Sequence, residues 1–213
     1  MTTIIFDYDG TLHESMFIYV PAFKKAVHYL NTKNLLDKRD YTDAEISKWL
    51  GFTAKEMWQS FAPHISKEEQ GVCSQIIGNE MLRLIEIGEA KLYPQTLEVL
   101  ADLKQKGYRL IFLSNCKIEY MNAHKHYFEL QKYFDAFYCS EQFDFVPKHE
   151  LFKVIKKKFA GDFIVIGDRM QDIEIATVHH LRSIGCLYGY AHERELENAS
   201  YSIVEIGQLI DML

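Results

Sequence analysis

TIIFDYDGTL, residues 3–12, is the stretch on which the reading of the whole chain turns. Thr3 to Phe6 form a short apolar run of the kind a strand buried on both faces requires. The run ends at Asp7-Tyr8-Asp9-Gly10-Thr11, where two carboxylates stand one residue apart. Asp and Gly are ordinary turn formers, so a simple turn explains the segment. A cation site explains it equally well, because two close acids are stabilised by a metal or by sharing a proton. On these ten residues alone the two readings stand level.

Similar apolar runs recur along the chain: Leu110 to Ser114, Ala136 to Ser140, Phe163 to Gly167 and Ser183 to Leu187. Helical patterns lie between them. Pro94 to Lys106 carries apolar residues at 97, 100 and 103, a proline at its start and Gly107 at its end. Leu151 to Phe159 and Ile173 to Leu181 also read as helices. Strands alternating with helices predict an α/β fold, a doubly wound Rossmann-like parallel sheet with helices on both faces. Ligands bind such sheets beyond the carboxyl ends of the strands.

Met16 to about Gly88 interrupts the alternation. Pro21 to Lys33, Thr42 to Leu50, Ala54 to Phe61 and Ser66 to Glu86 all read as helical, and Thr42–Glu45 and Ser66–Glu69 have the form of capping boxes. The expected organisation is an α/β core of residues 1–14 and 91–213 with an inserted helical domain of residues 15–90.

At 213 residues, 48% hydrophobic and 14% aromatic, the chain has ample material for a core. Its net charge of -6 argues against nucleic acid as the main partner but allows a small phosphorylated ligand held by local donors. No stretch approaches ~18 apolar residues, and the first strand begins without a charged-then-apolar leader. A cytoplasmic protein with no membrane partner is expected. The four cysteines, at 73, 116, 139 and 186, are scattered without a C-x-x-C pair. Reduced thiols, with no zinc site or disulfide framework, follow.

Further strand ends carry polar residues. Leu110–Leu113 runs into Ser114-Asn115, and Phe163–Ile166 into Gly167-Asp168-Arg169-Met170-Gln171-Asp172, while Lys148 opens a helical stretch between them. Singly, these are ordinary caps, turns and a solvated lysine. A parallel sheet brings them to one rim, and several carboxylates with a hydroxyl and an ammonium there make a phosphoryl-transfer site using magnesium.

Asp7-Tyr-Asp-Gly-Thr-Leu12, Ser114-Asn115, Lys148 and Gly167-Asp168-x-x-x-Asp172 resemble, in order, the four motifs of the haloacid dehalogenase superfamily. Gly185 to Tyr190 with His192 to Leu196 resembles its phosphoglycolate-phosphatase-like branch. The resemblance spans residues 1–14 and about 91–213, and extends to the insertion only in position and helical character, which makes residues 15–90 a cap domain. The second aspartate, Asp9, implies phosphoester chemistry rather than dehalogenation.

What the resemblance implies is a Mg²⁺-dependent phosphatase that acts through an aspartyl-phosphate. Asp7 would be the nucleophile and Asp9 the general acid and base, which requires its pKa to exceed the ordinary ~3.9. Lys148 would neutralise charge, with Ser114 and Asn115 binding the phosphoryl oxygens alongside it. Asp7, Asp9 (through its carbonyl), Asp168 and Asp172 would hold the metal, although orienting Lys148 is an equal role for Asp172. Thr11 would brace the loop. The substrate would be a small-molecule phosphomonoester and the protein a monomer or weak dimer. The alternative is a phosphomutase like β-phosphoglucomutase. His13-Glu14-Ser15 departs from the aspartate-serine of many relatives, and His149 stands where many have proline. Cys116 is expected as a small buried side chain, and Lys55 and Arg83 as surface charges.

Overall fold

The computed structural model describes residues 1–192 and 194–213; Glu193, within the C-terminal stretch noted above, lies outside the described residues. The chain divides into two compact units, one of residues 1–14 and 92–213 and one of residues 15–91.

The first unit is a six-stranded parallel sheet in the order β3-β2-β1-β4-β5-β6. Its strands are β1 (Thr3–Phe6), β2 (Arg109–Ser114), β3 (Ala136–Cys139), β4 (Phe163–Gly167), β5 (Arg182–Cys186) and β6 (Tyr201–Ile203). The central position of β1 follows from its composition: every one of its residues is buried, as in β4. Ile5 is in register with Ile111 on one side and Val165 on the other. Because strand side chains alternate faces, Ile5, Ile111, Leu113 and Val165 share a face. They pack with Leu151, Phe152 and Ile155 of one helix and Ile175 and Ala176 of another. Phe6 and Phe112 belong to the alternate positions, where they meet Phe134 edge-on with ring centroids 6.2 and 5.9 Å apart.

Among the described residues, the helices that accompany the strands are α5 (Thr96–Gln105), α6 (Ile118–Tyr127), α7 (Lys148–Lys158), α8 (Met170–His179) and α9 (Leu209–Met212), with those of the inserted unit numbered first. Of these, α6 and the four-residue α9 were not expected from the sequence; polar and aromatic residues obscure the period of α6. β6 also went unforeseen, being three residues long with two of them exposed. The strand order reverses between β1 and β4, where Asp7 and Asp168 follow the two strand ends. Such a reversal leaves a crevice beyond the carboxyl ends of the two strands.

The second unit comprises α1 (Met16–Thr32), α2 (Asp43–Ser47), α3 (Ala54–Phe61) and α4 (Lys67–Glu86). Ile18, Ala22, Phe23, Ala26 and Leu30 give α1 a buried stripe at helical spacing. Phe23, Tyr41 and Phe61 pack as an aromatic group with centroids 5.0–6.0 Å apart. The expected start at Pro21 is five residues late. Proline removes one backbone donor, and here both Pro21 and Phe17, four residues before it, are exposed, so α1 runs through. The Thr42–Glu45 capping box forms, as does a second one at Thr53–Glu56. At Ser66 the side chain accepts from the Glu69 backbone N–H at 3.2 Å.

Candidate active site

The end of β1 is shaped by a loop that turns on Gly10, with φ +87. A Cβ at Gly10 would overlap the Asp168 carboxylate, as would one at Gly189. Glycine therefore stands where two backbones close around an acid. Asp168 is fully buried, accepting from the Thr11 hydroxyl at 3.2 Å and the Tyr190 backbone N–H at 2.7 Å. Thr11 thus ties the loop to β4 rather than facing outward.

Lys148, the first residue of α7, sends its ammonium 2.5 Å from Asp7 Oδ1 and 2.6 Å from Asp172 Oδ1. Asp172 also accepts the Arg169 backbone N–H at 3.0 Å, so the start of α8 holds its carboxylate. All three side chains of this ion triad are buried. Carboxylate oxygens of Asp7, Asp168 and Asp172 lie within 4.8 Å of one another.

The electrostatics follow from that crowding. Burial, and then the charge of Asp172, push Asp7 up to about 7 despite Lys148. Burial, then Asp7 and Asp172, push Asp168 well above the usual carboxylate range. Burial alone would lower Lys148, but Asp172 and Asp7 outweigh it and hold the ammonium above its ordinary value. Three buried carboxylates thus crowd together, with one ammonium paired to two of them. The surplus negative charge and all-oxygen donor set suit a hard divalent cation, which prefers carboxylate ligands and water.

Asp9 is held differently. Its Oδ1 lies 2.7 Å from the Tyr120 hydroxyl and 2.9 Å from His13 Nδ1. Behind it, the Tyr8 hydroxyl and His124 Nδ1 are 2.7 Å apart. Tyr8 stacks on His13 at 5.2 Å between centroids, and His124 lies 4.4 Å from both the His13 and Tyr120 rings. Burial, then the Asp9 charge, push the Tyr8 and Tyr120 hydroxyls well up, so both keep their protons. Burial, then His13, push His124 well down. Sequence reasoning missed this cluster. Its available signal was the four-residue spacing of Tyr120 and His124, which places both on one face of a helix.

Ser114 is buried at the end of β2, one strand from Asp7, and Asn115 Oδ1 accepts the Ser140 hydroxyl at 2.6 Å. Cys116, expected as a small buried side chain, is half-buried, and its thiol hydrogen-bonds Cys139. That bond brings Cys139 down to about 7, whereas burial pushes Cys116 well up. Arg169 forks onto Glu195 at 2.7 and 3.1 Å, fastening Glu195 to the turn after β4. In the inserted unit Arg83 is engaged by Glu80 at 2.6 Å.

A parallel α/β sheet whose strand ends gather buried carboxylates around a lysine defines an enzyme fold with an acidic, cation-ready site. The chain belongs to the haloacid dehalogenase-like hydrolase family, whose model matches residues 4–186. No curated protein matches it significantly. Among solved structures it is similar to a predicted phosphatase from Clostridium acetobutylicum, with 22% identity, a TM-score of 0.82 and coverage of 99% of this chain and 97% of that one. A predicted phosphoglycolate phosphatase from Haemophilus somnus is 18% identical, with a TM-score of 0.83 and coverage of 99% and 96%. CbbY from Rhodobacter sphaeroides, solved in complex with phosphate, is 20% identical, with a TM-score of 0.78 and coverage of 97% and 95%. At these identities the likeness is one of fold.

Proposed function

We propose that this protein is a Mg²⁺-dependent phosphatase that hydrolyses a small phosphomonoester through an aspartyl-phosphate on Asp7. The observation that carries the reading is the buried Asp7–Lys148–Asp172 triad beside Asp168. Family membership and the phosphatases among the structural neighbours support it.

Asp7, Asp168 and Asp172, with the Asp9 carbonyl, would hold Mg²⁺. When bound, the ion offsets repulsion between carboxylate and phosphate and keeps Asp7 ionised. Asp7 then attacks phosphorus as the bond to the leaving oxygen breaks, and Asp9 gives that oxygen a proton. In the second half Asp9 takes a proton from water as the water attacks phosphorus, which frees Asp7 and inorganic phosphate. Lys148 holds Asp7 and a phosphoryl oxygen. Ser114 Oγ and the Asn115 N–H donate to the others. Residues 15–90 act as the cap that recognises the rest of the substrate.

The test is phosphate release across a panel of phosphorylated metabolites, with Mg²⁺ and with EDTA. Release with Mg²⁺, loss with EDTA and loss in folded Asp7→Asn are expected. Isomerised product that depends on a bisphosphate activator, with little free phosphate, would make the protein a mutase instead.

A further inference from the structure

We propose that Tyr120, seconded by His13, is the positioning residue for Asp9: it fixes the carboxylate in the orientation from which protons are moved. This rests on the phosphatase reading above.

The two donors reach the same oxygen, Asp9 Oδ1, from different parts of the fold. Tyr120 comes from α6 at 2.7 Å and His13 from the loop after β1 at 2.9 Å. Their own contact, between the Tyr120 hydroxyl and His13 Nδ1 at 3.3 Å, closes a small triangle around that oxygen. An aspartate side chain has two free torsions, and two converging donors leave it little choice of either.

The support behind the triangle is unusual for a core. Tyr8, His13 and His124 are fully buried, and Tyr120 is 9% exposed. Burying four polar rings where apolar side chains would pack costs desolvation. The rings wedge one another through stacked and edge contacts at 4.4–5.2 Å, so the two donors cannot drift. Proton transfer needs heavy atoms within about 2.6–3.2 Å, and a carboxylate free to rotate meets that condition only part of the time.

A purely structural role for Tyr120 would lower all rates together or none. A positioning role acts only on steps that move a proton through Asp9. p-Nitrophenyl phosphate separates these, because its leaving group departs without an acid while breakdown of the aspartyl-phosphate still needs the base. Tyr120→Phe removes one oxygen and keeps the ring. Rapid-mixing measurements should show the p-nitrophenol burst within about twofold of the unaltered protein, and breakdown of the phosphorylated protein slowed about tenfold, on the scale of one charge-assisted hydrogen bond. Adding Tyr120→Phe to Asp9→Asn should slow breakdown no further, since the two act as one unit.

His13 gives an independent arm if Tyr120→Phe does not fold. His13→Asn, which can still donate near Nδ1, should retain most of the breakdown rate, and His13→Leu should lose it with the burst preserved. Equal losses in burst and breakdown, or an unchanged breakdown rate, overturn the proposal. Asp9→Asn separates the two levels. If it leaves breakdown intact, the acid–base reading of Asp9 falls and this proposal with it. If it stalls breakdown while Tyr120→Phe and His13→Leu do not, only the positioning role is wrong.

Discussion

The Lys148 ammonium sits 2.5 Å from Asp7 Oδ1, with both groups almost wholly buried. A cation in that place stabilises the candidate nucleophile and cancels part of the charge that Asp172 and Asp9 bring to it. Removing one partner of a buried ion pair typically costs ~3–5 kcal/mol because the other charge is stranded. Asp7, already pushed up to about 7, escapes part of that by taking a proton. Lys148→Met should therefore lower unfolding free energy at neutral pH by about 3 kcal/mol, the low end of that range. Its phosphatase rate should fall at least ~10²-fold, as when a preorganised donor is removed from an active site. Denaturant titration and phosphate release check the two; undiminished stability would mean that Lys148 is not the counter-ion of this cluster.

Asp168 gives a test of the proposed metal site that needs no substrate. The folded protein should bind Mg²⁺ and the unfolded chain should not, so saturating ion raises stability by roughly 2.7 kcal/mol at a hundred times Kd. Asp168→Asn should abolish this rise. Without the ion the same variant should be at least as stable as the original protein, because Asp168 is held far above its usual range by burial and by Asp7. Thermal unfolding with and without Mg²⁺ reads both effects. A Mg²⁺ shift surviving in Asp168→Asn would place the ion elsewhere.

Within the helical unit, Glu80 of α4 lies 2.5 Å from Lys25 of α1 and also pairs with Arg83. Hydrogen bonds from Arg83, then from Lys25, bring its carboxyl down to about 2. A carboxyl lowered on folding adds stability above its unfolded pKa and loses it as pH falls toward the folded one. Both partners are more than half exposed, so Glu80→Gln should cost only about 1 kcal/mol at pH 7. The gap between the two proteins should close from pH ~4.3 downward. A gap constant from pH 7 to pH 3 would show that the charge of Glu80 contributes nothing.

The sheet was legible in the sequence because strands buried on both faces are written as unbroken apolar runs, as in Ile4–Phe6 and Phe163–Ile166. The residues at their ends were legible because strand ends in a parallel sheet share a rim. Asp7, Lys148, Asp168 and Asp172 accordingly meet in the structure. The apparatus around Asp9 was not legible. Tyr120 and His124 reach the β1 loop across more than a hundred residues, and nothing local to α6 announces the partner. The Cys116–Cys139 contact was hidden for the same reason, since it depends on the register that pairs Ser114 with Cys139.

Where the chain leaves and re-enters the α/β unit bears on what the insertion does. It departs after Glu14 and returns at Leu92. His13 forms an antiparallel bridge with Leu92, and the Tyr93 N–H donates to the Leu12 carbonyl at 2.9 Å. The two ends are thus already side by side, so a few flexible residues can replace positions 15–91 without stretching. Joining nearby ends also lowers the entropy of closing the loop, which grows with the logarithm of its length. The shortened protein should fold cooperatively, because the sheet core of Ile5, Ile111, Val165 and their helix partners lies wholly outside the deleted span. It should keep the Mg²⁺-dependent thermal shift, since Asp7, Asp168 and Asp172 all remain. Discrimination among phosphorylated metabolites should collapse, because the retained rim recognises a phosphoryl group and little else. Circular dichroism through a thermal ramp and a substrate panel test these together. Non-cooperative melting would mean that both units share one hydrophobic core, and selectivity retained after deletion would move substrate recognition onto the α/β unit.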